Sequence, residues 1–192
     1  MSPEEVELVY TAAILHDVGK IHEEFAPLLR KDSKLTPEET ALLQTHSVKS
    51  ADLVGIISGF RGVVQNAVRS HHERWDGGGY PDGLAGESIP LGARIIMISD
   101  TTDAMTTDRP YRKKLPIDAV ISELQKYRGT QFDPKLVDIA VSSMSVRRVM
   151  SDLQTAQPTA EQNPIEGGSK KVSPNQSPSW RNRASWPKIR AF

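Results

Sequence analysis

Cysteine is absent from this 192-residue sequence. Its absence excludes disulfide bridges, thiolate nucleophiles and cysteine-ligated zinc, and it leaves the redox compartment undetermined. Any metal site in the chain must therefore use histidine nitrogens and carboxylate oxygens, and the sequence contains only five histidines.

A net charge is also lacking, because 24 Lys and Arg residues balance 24 Asp and Glu residues. No global field attracts nucleic acid or a membrane surface, so we expect neither DNA nor RNA as a partner, and a charged ligand must be captured locally. No apolar run is long enough to span a bilayer, and the first residues are acidic where a signal peptide would be basic. These features predict a soluble, cytoplasmic protein.

Strand signals are nearly absent, whereas helix starts recur along the chain. Four sites place a short polar N-cap before a proline, the last more loosely than the others: Ser2-Pro3, Thr36-Pro37, Asp133-Pro134 and Ser88-Ile89-Pro90. Apolar residues then recur at helical spacing, as in the first helix at Val6, Val9, Tyr10 and Ala13. Two further helices are predicted from about Phe60 to Glu73 and from Pro116 to Tyr127. The predicted fold is an all-α bundle of about six helices.

The composition changes after about Met150, which divides the chain into a domain of residues 1–150 and a tail of residues 151–192. The tail is rich in Pro and Ser, has no periodic apolar face and carries more bases than acids, so we expect it to be disordered. Its aromatic residues among those bases are either a docking motif or part of an extension without a defined partner: Trp180, Trp186 and Phe192.

Two pairs of adjacent residues, one of histidine and aspartate and one of two histidines, stand out as candidate metal ligands. His16 and Asp17 are adjacent at the end of the first predicted helix among apolar neighbours, and a carboxylate can bridge two cations through its two oxygens. For a single histidine, burial against a backbone carbonyl is the commoner explanation. His71 and His72 favour metal binding, because they continue the apolar stripe of their predicted helix and two histidines at a buried helix end rarely serve packing.

Other candidate ligands also lie on core-facing positions. His46 follows an apolar pair at helical spacing, and Asp100 lies in the apolar run ARIIMISD, where an unpaired buried carboxylate is costly and a cation would relieve that cost. Asp103 is either a partner of these ligands or a surface acid, and His22 is predicted to be a loop residue. The whole set suits a binuclear site of manganese, iron, nickel or zinc: His16, Asp17, His46, His71, His72 and Asp100.

A glycine-rich segment, HHERWDGGGYPDGL, directly follows the histidine pair. Three consecutive glycines and the sequence Tyr-Pro-Asp-Gly predict a compact loop that shapes the mouth of a site. Three basic side chains could bind phosphate oxygens: Lys20, Arg109 and Arg112. The alternative for each is exposure on a solvated face of the protein.

In order and spacing, five motifs resemble those of the HD-GYP family over roughly Ala12 to Val141: LHDVGK, LLQTHS, HHERWDGGGYPDGL, RIIMISDTTDAMTTDRPYR and GTQFDPKLV. They include the pairs for which that family is named, His16-Asp17 and Gly79-Tyr80-Pro81. This combination is far more diagnostic than a lone histidine-aspartate pair.

The resemblance implies an HD-domain-like bundle that hydrolyses cyclic di-GMP, to linear pGpG or on to GMP, in bacterial second-messenger signalling. It implies that the six candidate ligands hold two metals, with Asp17 bridging, and that Asp17 and Lys20 serve catalysis, Lys20 by holding the scissile phosphate. It also implies substrate contacts by Gly79, Tyr80, Pro81, Arg109 and Arg112. Partners implied are an upstream receiver or sensor domain, as in two-component response regulators, and diguanylate cyclase-type proteins at the loop.

The chain departs from the family pattern in two places. The family usually has an earlier helix that carries a further histidine ligand, whereas only fifteen residues precede His16 here. We therefore expect a truncated domain that is short of at least one ligand and of one wall of the bundle. The segment KIHEEFAPLLRKDSKLT also differs from the family's usual sequence beside the phosphate side.

Two alternative functions remain open from the sequence. The first is a nucleotide phosphomonoesterase of the wider HD superfamily, against which the Gly-Tyr-Pro loop argues. The second is a degenerate, non-catalytic module that binds a nucleotide or a protein partner in signalling, which the missing helix favours.

Overall fold

The computed structural model describes residues 1–31, 33–108 and 113–155. Within these ranges the chain forms α-helices and short 3-10 turns, and its one bridge between extended residues is isolated, which confirms the all-α prediction. The helices are α1 Pro3–Leu15, α2 Ala26–Leu29, α3 Pro37–Gln44, α4 His46–Gly55, α5 Val63–Arg69, α6 Leu91–Thr106, α7 Ile117–Lys126, α8 Pro134–Ser142 and α9 Met144–Thr155.

Three of the four predicted helix starts have a side-chain cap. Ser2 and Thr36 each form a capping box with the glutamate three residues later, and Asp133 accepts from the first backbone N–H groups of α8. The prediction that Ser88 caps the fourth helix was wrong. It lies in a 3-10 turn, and α6 begins at Leu91 after Pro90 without a side-chain cap.

Helix α6 lies at the centre of the fold and separates two apolar clusters. Ile96 packs on one side with residues of α1, α4 and α5, including Ala12, Val54 and Val68. Met97 and Ile98 pack on the other side against α7, α8 and α9. Complete burial of one such aliphatic side chain contributes roughly 1.5–3 kcal/mol. The first cluster supports the helix ends at which the histidines lie.

Two elements differ from the apolar pattern of the sequence. In α1 only Val9 and Ala12 are buried, while Val6 and Tyr10 are more than half exposed. The helix predicted from Phe60 to Glu73 is shorter, since α5 ends at Arg69 and the histidine pair lies in the turn that follows.

Helix α9 continues past the domain boundary that the composition suggests. Residues 151–155, which the sequence assigns to the tail, extend this helix. The remainder of the tail, residues 156–192, lies outside the described residues, so its disorder stays a prediction.

Candidate metal centre

Four predicted ligands converge at one place in the fold. One ligand atom from each lies within 4.8 Å of the others: Asp17, His46, His71 and His72. Nε2 of His46 is 3.1 Å from Nε2 of His72, 3.4 Å from Nε2 of His71 and 3.2 Å from Oδ1 of Asp17. The three histidines are buried, and we call these four residues the cluster.

Helix ends position these side chains. His16 and Asp17 follow α1, His46 follows α3 after one residue and begins α4, and His71 and His72 follow α5. The last carbonyls of a helix have no intrahelical partner. Nδ1 of His16, His46 and His71 lies 2.6–2.7 Å from the carbonyl oxygen three residues earlier, in the last turn of the preceding helix.

These backbone contacts fix the tautomer of the three rings. A neutral histidine that donates from Nδ1 to a carbonyl carries no proton on Nε2, which is then an acceptor or a metal ligand. The Nε2 lone pairs of His46 and His71 therefore face each other and Oδ1 of Asp17. Among the described residues, Nε2 of His16 and Oδ1 of Asp17 are buried and have no hydrogen-bond partner.

A cation resolves this arrangement of facing lone pairs. One proton forms a hydrogen bond between only one pair of acceptor atoms, whereas a metal ion binds several lone pairs at once. Metal bonds of about 2.1 Å to nitrogen or oxygen place neighbouring donor atoms about 3.0–3.4 Å apart around one ion. The three separations from Nε2 of His46, 3.1, 3.2 and 3.4 Å, agree with that spacing, and the 3.9 Å between Nε2 of His71 and Oδ1 of Asp17 is longer.

Burial and neighbouring charges set the protonation of the cluster in the form that binds cations. Burial, followed by the neighbouring His16, lowers the pKa of His71 to about 3. Burial and the adjacent His71 and His46 also lower the pKa of His72 well below its usual value. Burial raises the pKa of Asp17, but His46 and Lys20 outweigh it, and the net pKa is well below the usual range. Neutral imidazole and ionised carboxylate are the forms that ligate metals.

His16 and Asp100 lie beside the cluster on the far side of Asp17. Nε2 of His16 is 3.6 Å from Oδ2 of Asp17 and 3.9 Å from Oδ1 of Asp100. Asp17 thus directs Oδ1 toward His46 and Oδ2 toward His16. Nζ of Lys20 also lies 2.7 Å from Oδ2 of Asp17, so the structure pairs this lysine with the carboxylate.

The loop after the histidine pair covers one side of the cluster. The backbone N–H of Tyr80 donates to the carbonyl of His72 at 3.3 Å, and the two rings stack with centroids 4.8 Å apart. Burial, with the charges of Asp17 and Asp100, raises the pKa of the Tyr80 phenol. A Cβ on Gly79 would lie 2.4 Å from the backbone nitrogen of Arg74, so only glycine allows the loop this close.

Other predicted site residues fall elsewhere. Arg109 and Arg112 lie outside the described residues. His22 lies between two 3-10 turns, as expected for a loop residue, and its ring meets Phe25 edge to face at 6.4 Å.

Sequence reasoning missed two residues that shape the site. Ser50 accepts from the backbone N–H of Gly19 at 2.8 Å and thereby ties the turn after Asp17 to α4. Glu73, which directly follows the histidine pair, is a buried carboxylate. An acid between two histidines and a glycine-rich loop was the available signal.

The fold and the cluster together define a helical domain with a group of histidine and aspartate side chains that could hold a metal ion. The HD domain family matches residues 1–136, and the chain belongs to that family. The family is metal-dependent, and the cluster is the group of described residues that is able to hold a metal ion. The resemblance to its HD-GYP branch is confirmed by the relatives that follow.

The curated relatives include cyclic dinucleotide phosphodiesterases. RpfG of Xanthomonas campestris pv. campestris, a cyclic di-GMP phosphodiesterase response regulator, is 43% identical over 139 residues, which cover 72% of this chain and 36% of the relative. A cyclic di-GMP phosphodiesterase of Thermotoga maritima is 34% identical over 72% of this chain and 38% of its own length. A 3'3'-cGAMP-specific phosphodiesterase 3 of Vibrio cholerae is 37% identical over 65% of this chain and 26% of its own. The chain spans about a third of the length of the curated relatives it matches.

A solved structure supports the fold. The cyclic GMP-AMP specific phosphodiesterase V-cGAP3 of Vibrio cholerae matches with a TM-score of 0.53 at 20% identity, over 80% of this chain and 44% of that one. In the described part of the chain, no helix combines the length and the apolar character that a bilayer span requires. The cytoplasmic location stays a prediction.

Proposed function

We propose that this chain is the metal-dependent phosphodiesterase domain of a bacterial signalling protein, and that it hydrolyses cyclic di-GMP to linear pGpG or on to GMP. The observation that carries the proposal is the convergence of Asp17, His46, His71 and His72 directly beneath the Gly-Tyr-Pro loop. The relatives named as cyclic di-GMP phosphodiesterases support the choice of substrate.

Two divalent ions, of iron, manganese, nickel or zinc, would be held by His16, Asp17, His46, His71, His72 and Asp100. The two Asp17 oxygens lie near different histidines, Oδ1 near His46 and Oδ2 near His16, which supports a bridging role for this carboxylate. Such ions lower the pKa of a bound water and neutralise charge on a phosphate. The backbone contacts of His46 and His71 keep their ligand atoms in place, and the low pKa of His71 leaves its Nε2 without competition from protons.

Lys20 lies at the edge of the cluster, where its ammonium group is suited to hold a non-bridging oxygen of the scissile phosphate. Its pairing with Asp17 keeps it close to the reacting centre. Gly79, Tyr80 and Pro81 would contact the substrate from the loop, with Arg109 and Arg112 holding the nucleotide. An upstream receiver or sensor domain and diguanylate cyclase-type proteins are the proposed partners.

A 3'3'-cGAMP phosphodiesterase is a second candidate, because Vibrio cholerae relatives with that specificity are 33–37% identical to this chain. The higher identity to RpfG favours cyclic di-GMP.

The proposal is tested with the purified chain, freed of metal and reloaded with Mn²⁺ or Fe²⁺, against cyclic di-GMP, 3'3'-cGAMP, pGpG and a mononucleotide. We expect hydrolysis of cyclic di-GMP to be fastest, and we expect it to be lost in Asp17→Asn. The matched control is Asp52→Asn, an exposed aspartate on α4, which should keep full activity. Preferred hydrolysis of mononucleotides would instead indicate a phosphomonoesterase, and metal binding without any turnover would indicate a non-catalytic binding module.

A further inference from the structure

Glu73 is a buried carboxylate that the proposed reaction does not use. It directly follows His71 and His72, and only 2% of its surface is exposed. A carboxylate is costly to bury unless hydrogen bonds satisfy its charge. Its position between the cluster and the glycine-rich loop raises the question of what it holds.

The carboxylate of Glu73 accepts two backbone N–H groups from the far end of the loop. Asp82 donates to Oε1 at 2.6 Å, and Leu84 donates to Oε2 at 3.0 Å. Hydrogen bonds to an ionised acceptor are about twice as strong as neutral ones. The two carboxylate oxygens thus hold the backbone nine and eleven residues further along the chain close to Glu73.

The segment that Glu73 holds, from Asp82 to Leu84, begins two residues after Tyr80 in the sequence. The ring of Tyr80 stacks on His72, two residues before the N–H that Glu73 holds. The start of the loop is fixed by the close approach of Gly79 to the backbone. The backbone is thus fixed on both sides of Tyr80. The close packing of Gly79 fixes it before Tyr80, and the hydrogen bonds to Glu73 fix it after Tyr80.

A second tether reaches the same segment but lies at the surface. Arg69 donates to both carboxylate oxygens of Asp82, at 2.7 and 2.8 Å, and both side chains are more than one third exposed. Exposed ion pairs contribute little to stability. The buried contacts of Glu73 therefore dominate the placement of the loop.

We propose that Glu73 is a positioning residue, which fastens the loop at Asp82 and Leu84 and so holds Tyr80 over the metal cluster for substrate binding. The part that concerns substrate rests on the proposed function. The fastening itself does not, and the two are measured separately.

Glu73→Gln tests the fastening, because the amide keeps the size of the side chain but turns an NH2 group toward one of the two N–H donors. In this variant, the rate of amide hydrogen exchange of residues 82–84 should rise about tenfold over the wild-type rate. The amides of α1 and α6 should exchange at the wild-type rate. Asp82→Asn is the matched control, since it weakens the exposed tether and leaves the main-chain N–H on Glu73. Its exchange should stay within about twofold of the wild type. Unchanged exchange of residues 82–84 in Glu73→Gln would overturn the fastening.

Kinetics test the role in substrate binding. In Glu73→Gln we expect KM for cyclic di-GMP to rise on the order of tenfold with kcat nearly unchanged, and the bound metal content to equal that of the wild type. A fall in kcat with unchanged KM, or loss of metal, would overturn the positioning role in favour of general structural support. If the wild-type chain turns over no cyclic dinucleotide, the proposed function fails, while the exchange experiment still decides whether Glu73 fastens the loop.

Discussion

The geometry of the cluster predicts that a metal ion stabilises the fold. It also predicts that Asp17→Asn loses this stabilisation. A ligand that binds only the folded state stabilises it by about 2.7 kcal/mol when its concentration is 100 times Kd. For a domain of this size, 1 kcal/mol corresponds to about 2–4 °C in Tm. Addition of Mn²⁺ to the metal-free wild type at that ratio should therefore raise Tm by about 5–11 °C.

Asp17 supplies the carboxylate of the cluster, and its two oxygens lie near different histidines, His46 and His16. Replacement of a residue that merely supports a ligand already weakens metal binding about 10–100-fold. Loss of the carboxylate itself should therefore raise Kd at least about 100-fold. At the same Mn²⁺ concentration the stabilisation falls to about 0.4 kcal/mol, which is about 1–2 °C in Tm.

The assay is differential scanning fluorimetry of wild type, Asp17→Asn and Asp52→Asn, each with chelator and with Mn²⁺. The quantity compared is the rise in Tm that the metal causes in each variant, so any effect of the substitution on the metal-free fold cancels. Asp52→Asn should show the full rise. Equal rises in wild type and Asp17→Asn, or no rise in the wild type, would refute the assignment of the cluster to a metal.

Three further outcomes follow from the structure. Below the ordinary histidine pKa near 6.5 the unfolded chain takes up protons that the folded protein excludes at His71, whose pKa is about 3, and at His72, whose pKa is also lowered. The free energy of unfolding of the metal-free protein should therefore fall by at least about 1.4 kcal/mol for each unit by which the pH is lowered between about 6 and 3, and a flat urea series across that window would contradict this. Gly79→Ala places a methyl group against backbone and should lower the free energy of unfolding by about 1–3 kcal/mol in urea titrations, whereas wild-type stability would show that the loop has room. Asp133→Ala leaves the largely buried Arg94 without its partner at 2.6 Å and also removes the side-chain cap of α8. It should lower the free energy of unfolding by about 3–5 kcal/mol through the ion pair and by about 1 kcal/mol through the cap, while Glu87→Ala, at an exposed ion pair, should change it little; similar effects of the two would count against the buried pair.

The sequence predicted most helix positions because local chemistry determines them. Ser2 and Thr36 cap their helices as their neighbours in sequence suggest. Burial is a property of the whole fold, and it was predicted less well. Tyr10 and Val6 follow the helical period of α1, yet the helix turns Val9 and Ala12 to the core instead.

The six candidate ligands were chosen from residue type and spacing, and the fold brings four of them together in the cluster. Their local structure was not predicted, because apolar periodicity runs from Val64 through Val68 to His71 without a break. The helix ends at Arg69, and the turn after it is fixed by tertiary contacts that no local pattern contains. Glu73 was missed for the same reason, since its partners lie in the loop that it fastens.

The position of the histidines at helix ends links fold stability to metal chemistry. A helix leaves its last carbonyls unsatisfied, and a histidine just beyond the last turn satisfies one of them through Nδ1. The same hydrogen bond orients Nε2 into the interior and keeps it free of a proton. Three helices that end at one point, α1, α3 and α5, therefore deliver three acceptor nitrogens to that point as a consequence of capping their own backbones. The repulsion among these acceptors and Asp17 opposes folding, and a cation bound among them would relieve it, so the candidate ligands and the helix ends form one structural unit.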